Sequence, residues 1–363
     1  MIEKQNGRIG WIDAAKCIAM FAIVLGHTLR TGAVHNYLYS FHVPTFFLLS
    51  GYCLSERDDG YMRFLMRKIK NLLVPYYIFG FISILIFMVL GNYVQGAIDL
   101  GEDIESGFFK CVEGLLFASC KTGYMRFNLP LWFIPCLFTL ENAFYGIRNI
   151  LRRFSVTVQT VICAAIIVVT GVLGWLNITN DLFTCLPYEM DTAFNMLPFY
   201  TVGYLLKLHS DKWQRLITAP VPVRIPVSVC LIAVGFFISS FNGMIGYVAD
   251  TYNNWLLFYS AGIIGAIGWL ILSSLFEHCR PILYVGRSTI VILLLHKFPI
   301  LFFQTVVPFT SAILADCETV KATFIAVAVA LITMLCCVVA SYIINRWFPF
   351  LLGKWYPKKK IAE

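Results

Sequence analysis

Asp13-Ala-Ala-Lys16, ten residues, His27, and then Phe41-His42-Val-Pro44-Thr-Phe-Phe-Leu-Leu-Ser50-Gly51-Tyr52: the reading of the whole chain turns on this stretch. Two apolar segments carry a lysine and two histidines at membrane depth, where a charged or titratable group costs a few kcal/mol even on lenient insertion scales. On one α-helix, Lys16 and His27 lie about 20° from the same face and roughly 16 Å apart along the axis. One face therefore offers a cation at one end and a titratable base at the other. Each has a plainer explanation when taken alone. A lysine near a helix end extends its ammonium to the headgroups, and a histidine near the other end can be an interfacial or hydrogen-bonded core side chain. In the second segment, Pro44 and Gly51 are tolerated in a membrane helix when freed backbone groups find partners. Ser50 and Gly51 also allow close helix approach, and His42 either lines a cavity or faces solvent.

Outward from this stretch the chain stays apolar. Of its 363 residues 59% are hydrophobic and 13% charged, and the mean hydropathy of +0.76 lies far above that of soluble domains. A bilayer core demands roughly 17–25 apolar residues per helix, and about ten such segments can be marked. They fall near 11–29, 39–55, 72–91, 129–147, 155–175, 192–208, 224–241, 253–275, 282–303 and 322–345. The expected fold is all-α: one polytopic membrane domain over residues 1–363.

Orientation follows from lysine and arginine, which cytoplasmic loops retain. Arg57, Arg63, Arg67, Lys68 and Lys70 fall between the second and third segments; Arg148, Arg152 and Arg153 follow the fourth; Lys207, Lys212, Arg215 and Arg224 follow the sixth. Arg346, Lys354 and Lys358 to Lys360 close the chain. With ten spans all of these share one side, so both termini are expected in the cytoplasm. The acids Asp99, Glu102, Asp103, Glu105, Asp181, Glu189, Asp191, Asp316 and Glu318 fall on the other side. Topology thus explains the net charge of +8, and no nucleic-acid partner is needed. Most of the twelve cysteines sit in apolar runs without a Cys-x-x-Cys, where cysteine behaves as a small hydrophobe; no metal site is expected.

Several side chains stand out against this background. Arg67, Lys68 and Lys70 crowd the start of the third span, where they serve either topology or the phosphates of an anionic cosubstrate. Residues 92–128 form the longest connection, with an interfacial or re-entrant helix expected over 107–119. Arg126, Asn128 and Trp132 lie where this connection enters the fourth span, and Glu141 sits inside that span. An intramembrane glutamate is a functional candidate, with a neutral buried acid as the alternative. In the ninth segment Arg287 and Ser288 precede His296 and Lys297. Gly-rich phosphate loops, His-Glu-x-x-His and Gly-x-Ser-x-Gly are absent, which disfavours metal hydrolysis and a hydrolase elbow.

Taken together these motifs resemble the membrane acyltransferase 3 family, which includes stand-alone O-acetyltransferases of bacterial surface glycans. The resemblance is carried by Asp13-x-x-Lys16 with His27, by Phe41-His42-Val-Pro44 through Ser50-Gly51-Tyr52, and by the basic segment before Leu72-Leu73-Val-Pro75-Tyr76. Leu131-Trp132-Phe133, Val202-Gly203-Tyr204 and Gly286-Arg287-Ser288 with His296 follow in family order. Two features depart from it. The first-helix cation is often arginine in the family and is Lys16 here, and the Arg-x-x-Arg before the third span is replaced by Arg67-x-x-Lys70 or Lys68-x-x-Asn71.

The resemblance implies transfer of an acetyl or other short acyl group from cytoplasmic acyl-CoA to a hydroxyl of a cell-surface or lipid-linked glycan, at the plasma or inner membrane. Lys16, Arg67, Lys68 and Lys70 would bind the acetyl-CoA phosphates. His27 would act as general base or transient acyl carrier. His42, Ser50, Arg126, Trp132, Glu141 and His296 are candidates on the acceptor side, and a homo-oligomer is left open. The alternative class is a small-solute, amino-acid type transporter of related fold, for which an intramembrane Lys/His/Glu set is also suited. A third is a structural subunit of a polysaccharide synthesis or export complex.

Overall fold

A computed structural model describes residues 9–354 apart from 30, 56–59, 95–102, 123–125, 181 and 308–318. The described residues are mostly helical, with one isolated bridge between Gly246 and Thr251 in place of any sheet. Among the described residues, seven helices or helical runs are long and apolar enough to cross a membrane: Gly10–Thr28, Tyr61–Leu90, Val156–Asn180, Val221–Asn242, Trp255–Phe276, Thr289–Val306 and Val320–Trp347. Their outward faces are apolar. Val161, Val168, Phe237 and Leu335 are all exposed, an arrangement favourable in lipid and unfavourable in water. The protein is a multi-pass membrane protein.

Helix α1 (Gly10–Thr28) and helix α2 (Ala33–Tyr52) form the hairpin on which the site is built. Three quarters of the residues of α2 are buried, 15 of 20. With α6 (Phe133–Leu151) and α8 (Met190–Leu208), it occupies three of the expected span positions without being as apolar as the seven. The reason is the polar groups they bury: His35 and His42 on α2, Glu141 and Arg148 on α6, Asp191 and Asn195 on α8. Helix α2 also starts six residues earlier than the sequence reading places it, because the turn before it closes at Gly32, whose φ of +99° suits glycine.

The α2–α8 crossing is unusually close. A Cβ at Gly51 would stand 2.0 Å from the Tyr200 carbonyl oxygen, and one at Gly203 would stand 1.9 Å from that of Leu48. Small residues at such points let two backbones touch. The basic segment is itself helical: α3 (Tyr61–Lys68) runs through a π-helical turn, Ile69–Leu73, into α4 (Val74–Val94). The helix expected over 107–119 falls in α5 (Asp103–Phe117), which is kinked at Gly107 and ends two residues sooner, at Phe117. Helix α7 (Val156–Asn180), α9 (Ser210–Ile217), α10 (Val221–Asn242) and α11 (Trp255–Ser273) follow. The ninth expected span is then broken into α12 (Arg280–Arg287), α13 (Thr289–Leu295) and α14 (Lys297–Val306), before α15 (Val320–Trp347). Pro299 accounts for the second break, since it lacks an N–H and its ring clashes with the carbonyl four residues earlier, that of Leu295.

Candidate functional site

Four of the chain's six histidines gather at one end of the α1–α2 hairpin. His27 arrives in the last turn of α1. His35, Tyr39 and His42 follow one another at i, i+4 and i+7 on α2, so they share a helix face. His296 sits at the break between α13 and α14. The Tyr39 hydroxyl lies 3.3 Å from Nδ1 of His27, and the rings of His27 and His296 are 5.2 Å apart. Tyr39 is itself stacked on His35 at 4.3 Å and meets His42 edge-on at 4.9 Å. His42 is buried, and its Nδ1–H donates to the Leu38 carbonyl one turn back.

Tyr247, from the connection between α10 and α11, closes over this group. Its hydroxyl donates to the Tyr39 carbonyl at 2.5 Å, and its ring stacks on Trp132 at 5.6 Å and lies 6.4 Å from His42. Beneath Trp132, Nδ2 of Asn128 donates to Ser83 Oγ at 3.0 Å and to the Leu294 carbonyl at 3.2 Å, which ties the entry of α6 to α4 and α13. The result is a packed cluster of imidazoles and phenol rings inside the helices.

The opposite end of the same hairpin is cationic. Cys53, the exposed residue that ends α2, lies within electrostatic reach of Lys16, Lys207, Glu141 and Asp13. Lys207 donates to the Leu54 carbonyl and Arg148 to that of Ser55, so two cations from α8 and α6 grip the chain just after Cys53. Lys68 pairs with Glu141 at 2.6 Å, and Arg287 pairs with Asp13 at 2.9 Å. A Cβ at Gly286 would stand 1.8 Å from the Asp13 carbonyl oxygen, so α12 lies directly against the start of α1. One helix therefore joins a set of fixed cations to a set of imidazoles. Among the described residues no His, Cys, Asp and Glu group could hold a metal ion.

Comparison with known proteins bears on what such a site does. A family model described as an acyltransferase domain matches residues 9–343, nearly the whole chain. The chain belongs to the acyltransferase 3 family. No curated protein and no solved structure matches it.

In this membrane acyltransferase the candidates separate into two groups. His27, His42, His296 and Trp132 come together at the imidazole end. Lys16, Lys68 and Glu141 belong to the cationic end. Glu141, expected on the acceptor side, is instead the partner of Lys68. Ser50 lies beside the Gly51 crossing, about 12 Å along the axis from His42, and so stands nearer Cys53 than the imidazoles. Arg67 is half-buried on α3 and Lys70 is exposed on the π-helical turn. The side chain of Arg126 lies outside the described residues. Tyr39, Tyr247 and Lys207 were not among the sequence candidates. Tyr39 was findable, since His35 and His42 flank it at helical spacing; Tyr247 comes from a connection with no periodicity to reveal it.

Beyond Tyr247 the acyltransferase carries a charged clasp. Lys121 reaches Asp191 at 2.8 Å and also pairs with Asp250, joining the segment after α5 to the start of α8 and to the Tyr247 connection. Burial works against the Lys121 ammonium, but Asp250 and Asp191 outweigh it and hold its pKa raised. Next to the clasp, Glu189 accepts from the Cys120 N–H at 2.7 Å and from the Thr192 hydroxyl at 3.0 Å. Burial pushes its carboxyl up to about 7, despite these donors and Lys121.

Proposed function

We propose that the protein transfers a short acyl group, acetyl in the first instance, from acyl-CoA at the cytoplasmic face to a hydroxyl of a cell-surface or lipid-linked glycan across the plasma membrane. The observation that carries this reading is the division of one helix hairpin into a cationic end around Cys53 and an imidazole end around His27. A phosphorylated donor suits the first and an uncharged hydroxyl acceptor the second.

Lys16, Arg67, Lys68 and Lys70 are the cations proposed to hold the donor phosphates, with Lys207 fixed alongside. Lys68 then shares its charge between Glu141 and the donor. The separation of Lys16 and His27, roughly 16 Å on one helix, is a length that the donor's pantetheine arm can cover. His27 acts as base toward the acceptor hydroxyl or carries the acyl group transiently. With Nδ1–H donated to the Tyr39 hydroxyl oxygen, Nε2 of His27 is left as the bare nitrogen for this chemistry.

The test uses protein inserted normally in membranes and radiolabelled acetyl-CoA. His27→Ala is expected to abolish transfer of the label to cell-envelope glycan, and Lys16→Ala with Arg67→Ala to weaken coenzyme A binding at least tenfold. Undiminished transfer by the His27 variant, or unchanged coenzyme A affinity in the double variant, sinks the respective assignment.

A further inference from the structure

The backbone holds the His296 imidazole in one tautomer. Nδ1 faces two carbonyl oxygens, those of Ile292 at 2.9 Å and Leu293 at 3.0 Å, and a carbonyl oxygen only accepts. In the neutral ring the proton therefore sits on Nδ1 and is shared between the two, which leaves Nε2 as a bare lone pair. That nitrogen belongs to a fully buried side chain and has no hydrogen-bond partner among the described residues. Burying an acceptor without a donor is unfavourable, and such an atom calls for a reason to be kept. The site supplies one: the His27 ring lies 5.2 Å away.

We infer that His296 is the base that takes the proton of the attacking hydroxyl, with His27 as the acyl carrier. This rests on the acyl-transfer reading above. In the first step the bare nitrogen of His27 attacks the thioester carbonyl carbon; a C–N bond forms, the C–S bond breaks and sulfur leaves as thiolate. In the second, the acceptor oxygen attacks the same carbon; a C–O bond forms, the C–N bond breaks and the hydroxyl proton passes to Nε2 of His296. That proton then moves to the thiolate. One hydroxyl and one thioester have become one ester and one thiol, and both imidazoles are neutral again. Burial and the neighbouring Lys297 make an imidazolium at His296 costly and short-lived, and the bonds from its Nδ1–H to two carbonyl oxygens, which strengthen when the donor is charged, offset part of that cost. Division of labour also explains why two imidazoles stand together, since a carrier occupied by an acyl group cannot serve as base.

The experiment separates the two halves of the reaction with two acceptors, using the full-length protein in proteoliposomes and acetyl-CoA as donor. Cell-envelope glycan supplies hydroxyls that need a base; hydroxylamine is a nucleophile that does not, and its rates are taken above its direct reaction with acetyl-CoA in protein-free liposomes. His296→Gln is expected to lower transfer to glycan by about 10²- to 10⁴-fold while acetohydroxamate formation and release of free thiol stay within a few-fold of wild type. His296→Asn, which keeps an N–H donor toward the Ile292 and Leu293 carbonyls and has no basic nitrogen, should behave alike and guards against a folding defect. His27→Gln should lose both reactions. The inference is overturned if the His296 variants acylate glycan at the wild-type rate, or if they lose both acceptors in parallel. If wild-type protein releases no thiol with either acceptor, the acyl-transfer reading fails first and takes this one with it.

Discussion

Gly203→Ala probes the crossing that aligns the two ends of the site. A Cβ at 203 would meet the Leu48 carbonyl oxygen at 1.9 Å and its carbon at 2.8 Å, whereas ordinary contact begins at 3.4 Å. Both obstacles are backbone atoms of α2, so no side chain can swing aside. The helices must part by about 1.5 Å here, and overpacking of this kind costs about 1–3 kcal/mol. Gly51→Ala strikes the same crossing from the other helix, against the Tyr200 carbonyl oxygen at 2.0 Å. Once one alanine has parted the helices the second finds room, so the double variant should cost about 1 kcal/mol less than the two singles together. Denaturant titration in detergent micelles measures all four proteins of the cycle. Donor affinity should fall with stability, because Lys207 rides on α8 while the carbonyl it grips follows α2. A Gly203→Ala protein within 0.5 kcal/mol of wild type, or strictly additive costs, would refute the close crossing.

Two further outcomes follow from the clasp. Lys121→Met leaves Asp191, whose side chain is 1% exposed, without its cation; loss of about 3–5 kcal/mol is expected, and retention of wild-type stability in a denaturant titration would count against a buried pair. Glu189, with its carboxyl raised from an ordinary 4.5 to about 7, keeps in the folded state a proton that the unfolded chain releases. Stability should therefore be highest below about pH 4.5 and fall by up to ~3 kcal/mol as pH rises to about 7, levelling off above it. Glu189→Gln should flatten this slope, and equal slopes in the two proteins would contradict it.

Much of the site could be read from residue spacing, because helical geometry is local. Lys16 and His27 needed only the pitch of a helix, whereas the break that positions His296 interrupts what was expected as one span over 282–303. The helix boundaries of α2 were less legible, since polar residues buried against other helices depress hydropathy without shortening the helix. The Lys68–Glu141 pair was hidden for a different reason: it joins two segments far apart in sequence, and nothing local in either announces the other. Lys207 and Arg148 were masked by a competing explanation. Retention of cations on the cytoplasmic side accounts for the same residues, so their grip on the Leu54 and Ser55 carbonyls left no separate trace.

The meeting of His27 with His296 also has a consequence for biosynthesis. Chains emerge from the ribosome in order and their early elements assemble first. The α1–α2 hairpin, with His27, Tyr39 and Lys16, is in the membrane long before the α13–α14 break is made. A nascent or prematurely ended chain thus carries one imidazole of the pair without the other. On the proposed division of labour, a fragment left by interrupted translation holds the acyl carrier and lacks the base for the acceptor hydroxyl.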